Sequence, residues 1–281
     1  MYTTTSMRTS EALKKFVVFT LFGLTAVVCI VPFFTMIINA THSARALSSG
    51  VYLLPGDMFI ENYRTLIRRT YIWHGFMNSA TIAIPVTVGA CYFGALTGYG
   101  FSRFRFKGRN ILFYGILGTI MIPPQAALVG LFEFARGLGV LDTYWGIILP
   151  GIVNPQAVFW LRMYTDSAIP YSLMESARME GCGELRIFHS IVLPLLKPAI
   201  ATIAIFSFVQ IWNNYIIPLV LINTRRKYPL PVQIAQLDDV WQQDYGAIYV
   251  GVTISVVPII IVFFILSKRI IGGLTLGAVK G

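Results

Sequence analysis

Charge is what this sequence has least of. Lys, Arg, Asp and Glu together make up 12% of its 281 residues, where a soluble domain carries about 25%. None of them stands in the middle of a long apolar stretch; Glu133 comes nearest, close to the end of one. That absence argues against a proton- or ion-driven carrier, which usually keeps an ionisable relay inside the membrane. It argues equally against a membrane hydrolase, because no nucleophile, base and orienting group fall together. There is no GxxxxGK[ST] stretch, so the chain carries no P-loop nucleotide site. Three cysteines, Cys29, Cys91 and Cys182, have no metal-like or disulfide-like spacing. The histidines His42, His74 and His189 are scattered and read as surface or interfacial side chains rather than ligands. No internal repeat is visible.

What is present is apolar. Hydrophobic residues account for 56% of the chain, enough for several spans of roughly 20 residues. Six are expected: Phe16 to Ala40, Phe76 to Ser102, Ile111 to Phe134, Thr143 to Leu161, Pro198 to Ile222, and Gly246 to Leu266. Helices satisfy their own backbone hydrogen bonds in lipid, so the expected fold is all-α, a polytopic membrane protein. The first span is too long for a signal-peptide core and lacks a nearby small-x-small site, so it reads as a retained helix.

The formal net charge of +10 would suggest nucleic acid as a partner in a soluble protein. Sorted by loop, fourteen of the 22 Lys and Arg fall on one side if the N-terminus is inside. "RFRFKGR", Arg103 to Arg109, is the clearest cytoplasmic anchor. The bias places both termini in the cytoplasm, although Arg64, Arg68, Arg69 and Arg225-Arg226-Lys227 lie outside. No nucleic-acid role is expected.

Every span contains proline, and the pair in "IMIPPQ" should kink or break the third helix. Such breaks either line a cavity or merely bend packed helices. Ala90, Gly94 and Gly98 put small residues on one face of the second span, where another helix approaches closely. The polar residues left within the spans are neutral: Gln125, Asn154, Gln156, Gln210, Asn213 and Asn214, the last two beside Trp212. Buried amides need partners. They either bond across helices or face a wet pathway for a neutral solute, and Trp212 either stacks on a sugar face or packs.

Between the fourth and fifth spans run about 36 residues, Arg162 to Lys197. A structureless connection of that length is unusual. Ser172 three before Glu175 reads as a capping box, opening a helix from Leu173 to Glu180 with Leu173, Met174 and Ala177 on one side. Gly181-Cys182-Gly183 breaks it, and a second helix runs from Glu184, suited to the positive end of the helix dipole, to Leu193. The pair either projects from the membrane or lies flat on the headgroups.

Glu175, Ser176 and Ala177, then Gly181, then Ile191, Leu193 and Pro194 resemble the "EAA" signature of bacterial ABC importer permeases, with Ser in place of the first Ala. "ENYRTL", "WNNYIIPL" and the tail "GGLTLGAVKG" resemble the smaller, six-span permease of the maltose-transporter group, so the likeness covers nearly the whole chain. The resemblance implies a non-enzymatic half-pore in the bacterial plasma membrane. It implies pairing with a second permease, two cytoplasmic ATPases holding ATP and Mg, a solute-binding protein outside, and no cofactor on this chain. It further implies that the EAA residues couple to the ATPase and that the tail, with Gly277, Ala278, Val279, Lys280 and Gly281, reaches between the ATPases. The organisation that follows is a cytoplasmic segment over 1–15, a transmembrane domain over 16–271 with its coupling loop at about 162–197, and a tail over 272–281. A sugar or oligosaccharide is the expected solute. A polyol or a glycerol phosphodiester in the same machinery is an alternative, and a self-sufficient ion-coupled carrier is another.

Overall fold

The computed structural model describes residues 3–50, 52–239 and 242–278, with side chains from 14 to 267 apart from 51 and 239–243. The chain is 79% helical. Among the described residues the sheet content is a two-rung antiparallel ladder, Asp238 opposite Gln243 and Asp239 opposite Gln242. Two compact units form, 1–70 with 236–254 and 71–235 with 255–281.

The first unit holds α1 (Thr3–Asn39), α2 (Ala44–Leu47) and α3 (Phe59–Arg69). Within Lys14–Asn39 of α1 an apolar 18-residue window is 0% buried, while Ile38 and Asn39 at the helix end are buried; apolar side chains on every face of that window make it a helix for lipid or a partner rather than water. "ENYRTL" has a structural purpose here. The amide of Asn62, buried in α3, donates to the carbonyls of Ala40 and His42, each at 2.8 Å. A Cβ at Gly246 would fall 2.5 Å from Asn62 Oδ1, so that glycine makes room for the amide.

The second unit is built on α4 (Ile72–Arg103), followed by α5 (Arg109–Ile120), α6 (Leu128–Gly137), α7 (Trp145–Ile152) and α8 (Pro155–Ala168). After these come α9 (Tyr171–Met179), α10 (Glu184–Ile187), a π-helical turn (Phe188–Val192), α11 (Leu193–Leu195), α12 (Lys197–Trp212), α13 (Ile216–Leu221) and α14 (Leu230–Ala235). The last helix, α15 (Tyr245–Ala278), contributes to both units. Helix α4 makes its largest interfaces with α8 and α12. The small-residue face explains the first: Cβ atoms would fall 2.8 Å from Ala157 Cβ at Gly94 and 2.8 Å from Arg162 N at Gly98. Backbone meets backbone there, as the four-residue spacing predicts.

Among the described residues, three helices are long and apolar enough to cross a membrane: Lys14–Asn39, Ile72–Arg103 and Tyr245–Ser267. The third expected span is broken, its halves Arg109–Ile120 and Pro124–Gly137 meeting at 99° across the expected Pro123-Pro124 pair. The fourth is not continuous. Pro155 has no N–H to give the preceding turn, and the Asn154 carboxamide oxygen accepts from Ala157 N at 3.0 Å, ending α7 and starting α8. The fifth divides after Trp212, where the Asn214 side chain accepts from Ile217 N at 3.2 Å.

Candidate functional site

The Arg162–Lys197 segment forms the two expected helices, α9 and the run from α10 to α11. The elbow between them is a Schellman turn. Gly181 N bonds Arg178 O at 2.9 Å, Cys182 N bonds Ala177 O at 3.0 Å, and Gly181 sits at φ +79°. A Cβ there would touch nothing within 4 Å. The glycine is required by the left-handed backbone and not by crowding from this chain.

Two local expectations change. Helix α9 starts earlier, with Pro170 as its N-cap and no side-chain cap. Ser172 is thus already inside the helix, where its hydroxyl cannot reach the orphan donors, and no capping box forms. Leu173 is 40% exposed while Met174 and Ala177 are buried, because positions 174 and 177 lie a helical turn apart and 173 falls off that stripe.

The buried stripe is continuous with the interior of the second unit. Ile169, Met174, Ala177, Ile187, Phe188 and Val192 join Tyr99, Leu161 and Leu196 in one cluster. The two short helices therefore dock on the ends of α4 and α8 by one face. The EAA-like residues divide accordingly. Ala177, Ile191 and Leu193 pack into or against the cluster. Pro194, with no N–H for Ser190 O, follows the π-helical turn. Glu175 and Ser176 are exposed, and their side chains have no hydrogen-bond or ionic partner among the described residues. Met179 of the same helix and Leu185 of α10 are also exposed, 89% and 69%.

Across the elbow, Arg178 Nε donates to Glu184 Oε1 at 2.6 Å, and the Tyr99 hydroxyl donates to Glu184 Oε2 at 3.0 Å. The Arg178 guanidinium holds the Glu184 carboxyl below its ordinary value, and Glu184 in turn raises that of Arg178. The sequence marks Glu184 only as a dipole-friendly helix start. Opposite charges flanking Gly-Cys-Gly were the available signal. Tyr99 lies too far along the chain for spacing to reveal it.

A second feature is a groove of about 1050 Å³ between α8 and α12. Asn154, Gln156, Trp160, Thr202, Ser207 and Gln210 are among its lining, which holds no Asp, Glu, Lys, Arg or His. Asn154 Nδ2 donates to Ser207 Oγ at 3.2 Å, while Gln156 and Gln210 are exposed. Three expected pathway amides thus meet in one place. The others do not line it. Gln125 lies on a 3-10 turn, Asn213 is exposed, and Asn214 caps α13. Trp212 is 1% exposed, stacks on Phe208 and donates to Ser255 O at 3.0 Å; it packs and offers this chain no open face for a sugar. Among the expected tail contacts, the side chains of Gly277, Ala278, Val279, Lys280 and Gly281 lie outside the described residues.

At the far ends of α6 and α13, Asp142 joins two loops. Its carboxylate accepts from Asn223 N and Thr224 N, each at 2.9 Å, from the Thr224 hydroxyl at 2.7 Å, and from Lys227 Nζ at 2.8 Å. The Lys227 ammonium first, and then the Thr224 donors, hold its carboxyl well below the usual range. Arg226 Nε donates to His74 Nε2 at 3.3 Å. The cationic run is thus engaged with its neighbours.

Comparison with known proteins agrees with these features. Residues 90–274 match the family described as "Binding-protein-dependent transport system inner membrane component". The arabinooligosaccharides transport system permease protein of Bacillus subtilis is 35% identical over 89% of this chain and 90% of its own. The maltodextrin transport system permease protein of the same organism is 31% identical, over 97% of this chain and 99% of its own. A crystal structure of a bacterial ABC transporter involved in import of the acidic polysaccharide alginate contains a similar chain, with TM-score 0.76 and 25% identity over 92% of this chain and 97% of that one. The chain belongs to the binding-protein-dependent transport system inner membrane components, as an ABC importer permease of the carbohydrate-uptake group.

Proposed function

We propose that this chain is one of two permease halves of an ATP-driven importer for a sugar or oligosaccharide, and that α9 is the element a cytoplasmic ATPase grips. The carrying observation is the division of the EAA-like residues: one set packed in or against the unit's own core, the side chains of Glu175 and Ser176 left outward and unpartnered among the described residues, with Met179 of the same helix also exposed. A helix fixed on one face and bare on the other is a lever for something that binds it. Shifting a conformational equilibrium from 1:99 to 99:1 takes about 5.5 kcal/mol of differential binding, and a short helix docked along one face passes on energy that a floppy loop would absorb.

In this reading the chain crosses the membrane six times with both termini in the cytoplasm, each broken helix counting as one crossing. A second permease completes the pore and a solute-binding protein delivers the solute outside. ATP and Mg sit in the ATPases, and residues 277–281 reach between them. The groove between α8 and α12 is this chain's side of the solute path, with Asn154, Gln156 and Gln210 for hydroxyl groups. Its uncharged lining, together with the engagement of Arg226 and Lys227 elsewhere, favours a neutral saccharide over a phosphodiester.

Gly181→Asp and Glu175→Lys are expected to insert normally but to lose ATPase co-purification and solute uptake. Gly181→Asp puts a charged side chain where the exposed turn takes glycine, and Glu175→Lys reverses the exposed charge. Normal uptake by both would defeat the assignment.

A further inference from the structure

We propose that Tyr99 and Arg103 of α4 are positioning residues that carry the movement of α9 directly into α4. This rests on reading α9 as the ATPase-gripped helix. The two residues hold α9 at opposite ends. At its start, an Arg103 guanidinium nitrogen donates to Thr165 O at 2.6 Å and also to Ile169 O, the carbonyl just before Pro170. The same guanidinium lies 5.7 Å from the centre of the Tyr171 ring. Its side chain is 8% exposed, with Asp166 at 3.9 Å. At the other end, Tyr99 reaches Arg178 through Glu184. Tyr99 and Arg103 are four residues apart on one helix and so share a face, about 6 Å from each other along the axis.

The covalent route from α9 is poorly suited to force. Leaving its C-terminus, the chain passes through Gly181 and Gly183, and neither glycine has a neighbour within 4 Å of its Cβ position. Glycines are the most permissive backbone positions. The Tyr99–Glu184–Arg178 chain crosses the same gap with charge-assisted hydrogen bonds, which are short and directional. Helix α4 then distributes what it receives, since it packs on α7, α8, α12 and α14.

The test uses the complete importer, with second permease, ATPases and binding protein, reconstituted in proteoliposomes, and reads solute moved per ATP hydrolysed. Tyr99→Phe removes only the hydroxyl and keeps the buried ring. It is expected to retain full ATPase co-purification and hydrolysis while solute per ATP falls about tenfold, the size of one charge-assisted hydrogen bond. The double exchange Arg178→Glu with Glu184→Arg restores the ion pair but offers Tyr99 no carboxylate at position 184, so it should remain uncoupled. An unchanged ratio in Tyr99→Phe, recovery of coupling by the double exchange, or loss of ATPase co-purification in Tyr99→Phe would each overturn the proposal. The docking assignment stands or falls separately, on co-purification with Gly181→Asp.

Discussion

At the scale of single residues, Asp142 shows how much one side chain can organise. It sits at φ 56°, a left-handed conformation that Asp and Asn tolerate better than other side chains, and its carboxylate collects four donors from the 223–227 segment. Because its folded value is depressed, the stability it contributes is present above the ordinary value of 3.8 and is lost as pH falls through the lower folded value. Asp142→Asn keeps the backbone conformation and one acceptor oxygen but drops the charge. It should cost about 1–2 kcal/mol at neutral pH, with the ion pair's own share trimmed by solvent. The difference in melting temperature between wild type and Asp142→Asn should hold steady from pH 8 to about 5 and shrink only below about 4. A difference that already fades at pH 6 would contradict the latch. Asn62 is a second such residue, its amide tying α3 to the carbonyls of Ala40 and His42.

At the scale of elements, the helix inventory was largely legible and its joints only in part. Long apolar runs marked α1, α4 and α15, and Pro123-Pro124 announced the break between α5 and α6. The glycine elbow also followed from sequence, because a left-handed C-terminal turn selects for that residue. The α7–α8 break was harder. An apolar run such as "WGIILPGIVNPQAVFWL" shows no change of period at the joint, and only the Asn-Pro pair records it. The roles of the amides were half legible for a similar reason. Composition says that an amide needs a partner, but whether Asn214 meets a solute or a backbone N–H depends on where the next helix begins. The Ala90-Gly94-Gly98 face supplies a clean contrast. Gly98→Ala pushes a methyl to 2.8 Å from Arg162 N, whereas at Gly100 nothing lies within 4 Å. Gly98→Ala is expected to destabilise by about 1–3 kcal/mol through overpacking. Gly100→Ala, which only gains helix propensity, should be neutral or stabilise by up to about 1 kcal/mol. Thermal unfolding in detergent reads both, and equal shifts would refute the backbone contact.

At the scale of the whole molecule, the chain is built to be incomplete. The apolar window of its first helix is unburied, the Glu175 and Ser176 edge of α9 is exposed, and its groove has an uncharged wall on this chain. Reconstituted by itself, it should move no sugar under a proton or sodium gradient, with or without ATP. Uptake should begin once the second permease, ATPases and binding protein are present. Gradient-driven uptake by the isolated chain would make it a carrier and remove the need for α9 to be gripped.

The seam between α4 and α8 carries a consequence for how such a machine can move. With glycine at Gly94 and Gly98 there is no cushion of side chains to slide upon, so the two helices must travel as one plank. Any swing that opens or shuts a passage has to be taken up at the corners, where Arg109–Ile120 turns into Pro124–Gly137 and where Glu184–Leu195 turns into Lys197–Trp212. Spin labels fixed to α4 and α8 should keep their spacing throughout turnover, while labels placed either side of those corners should not.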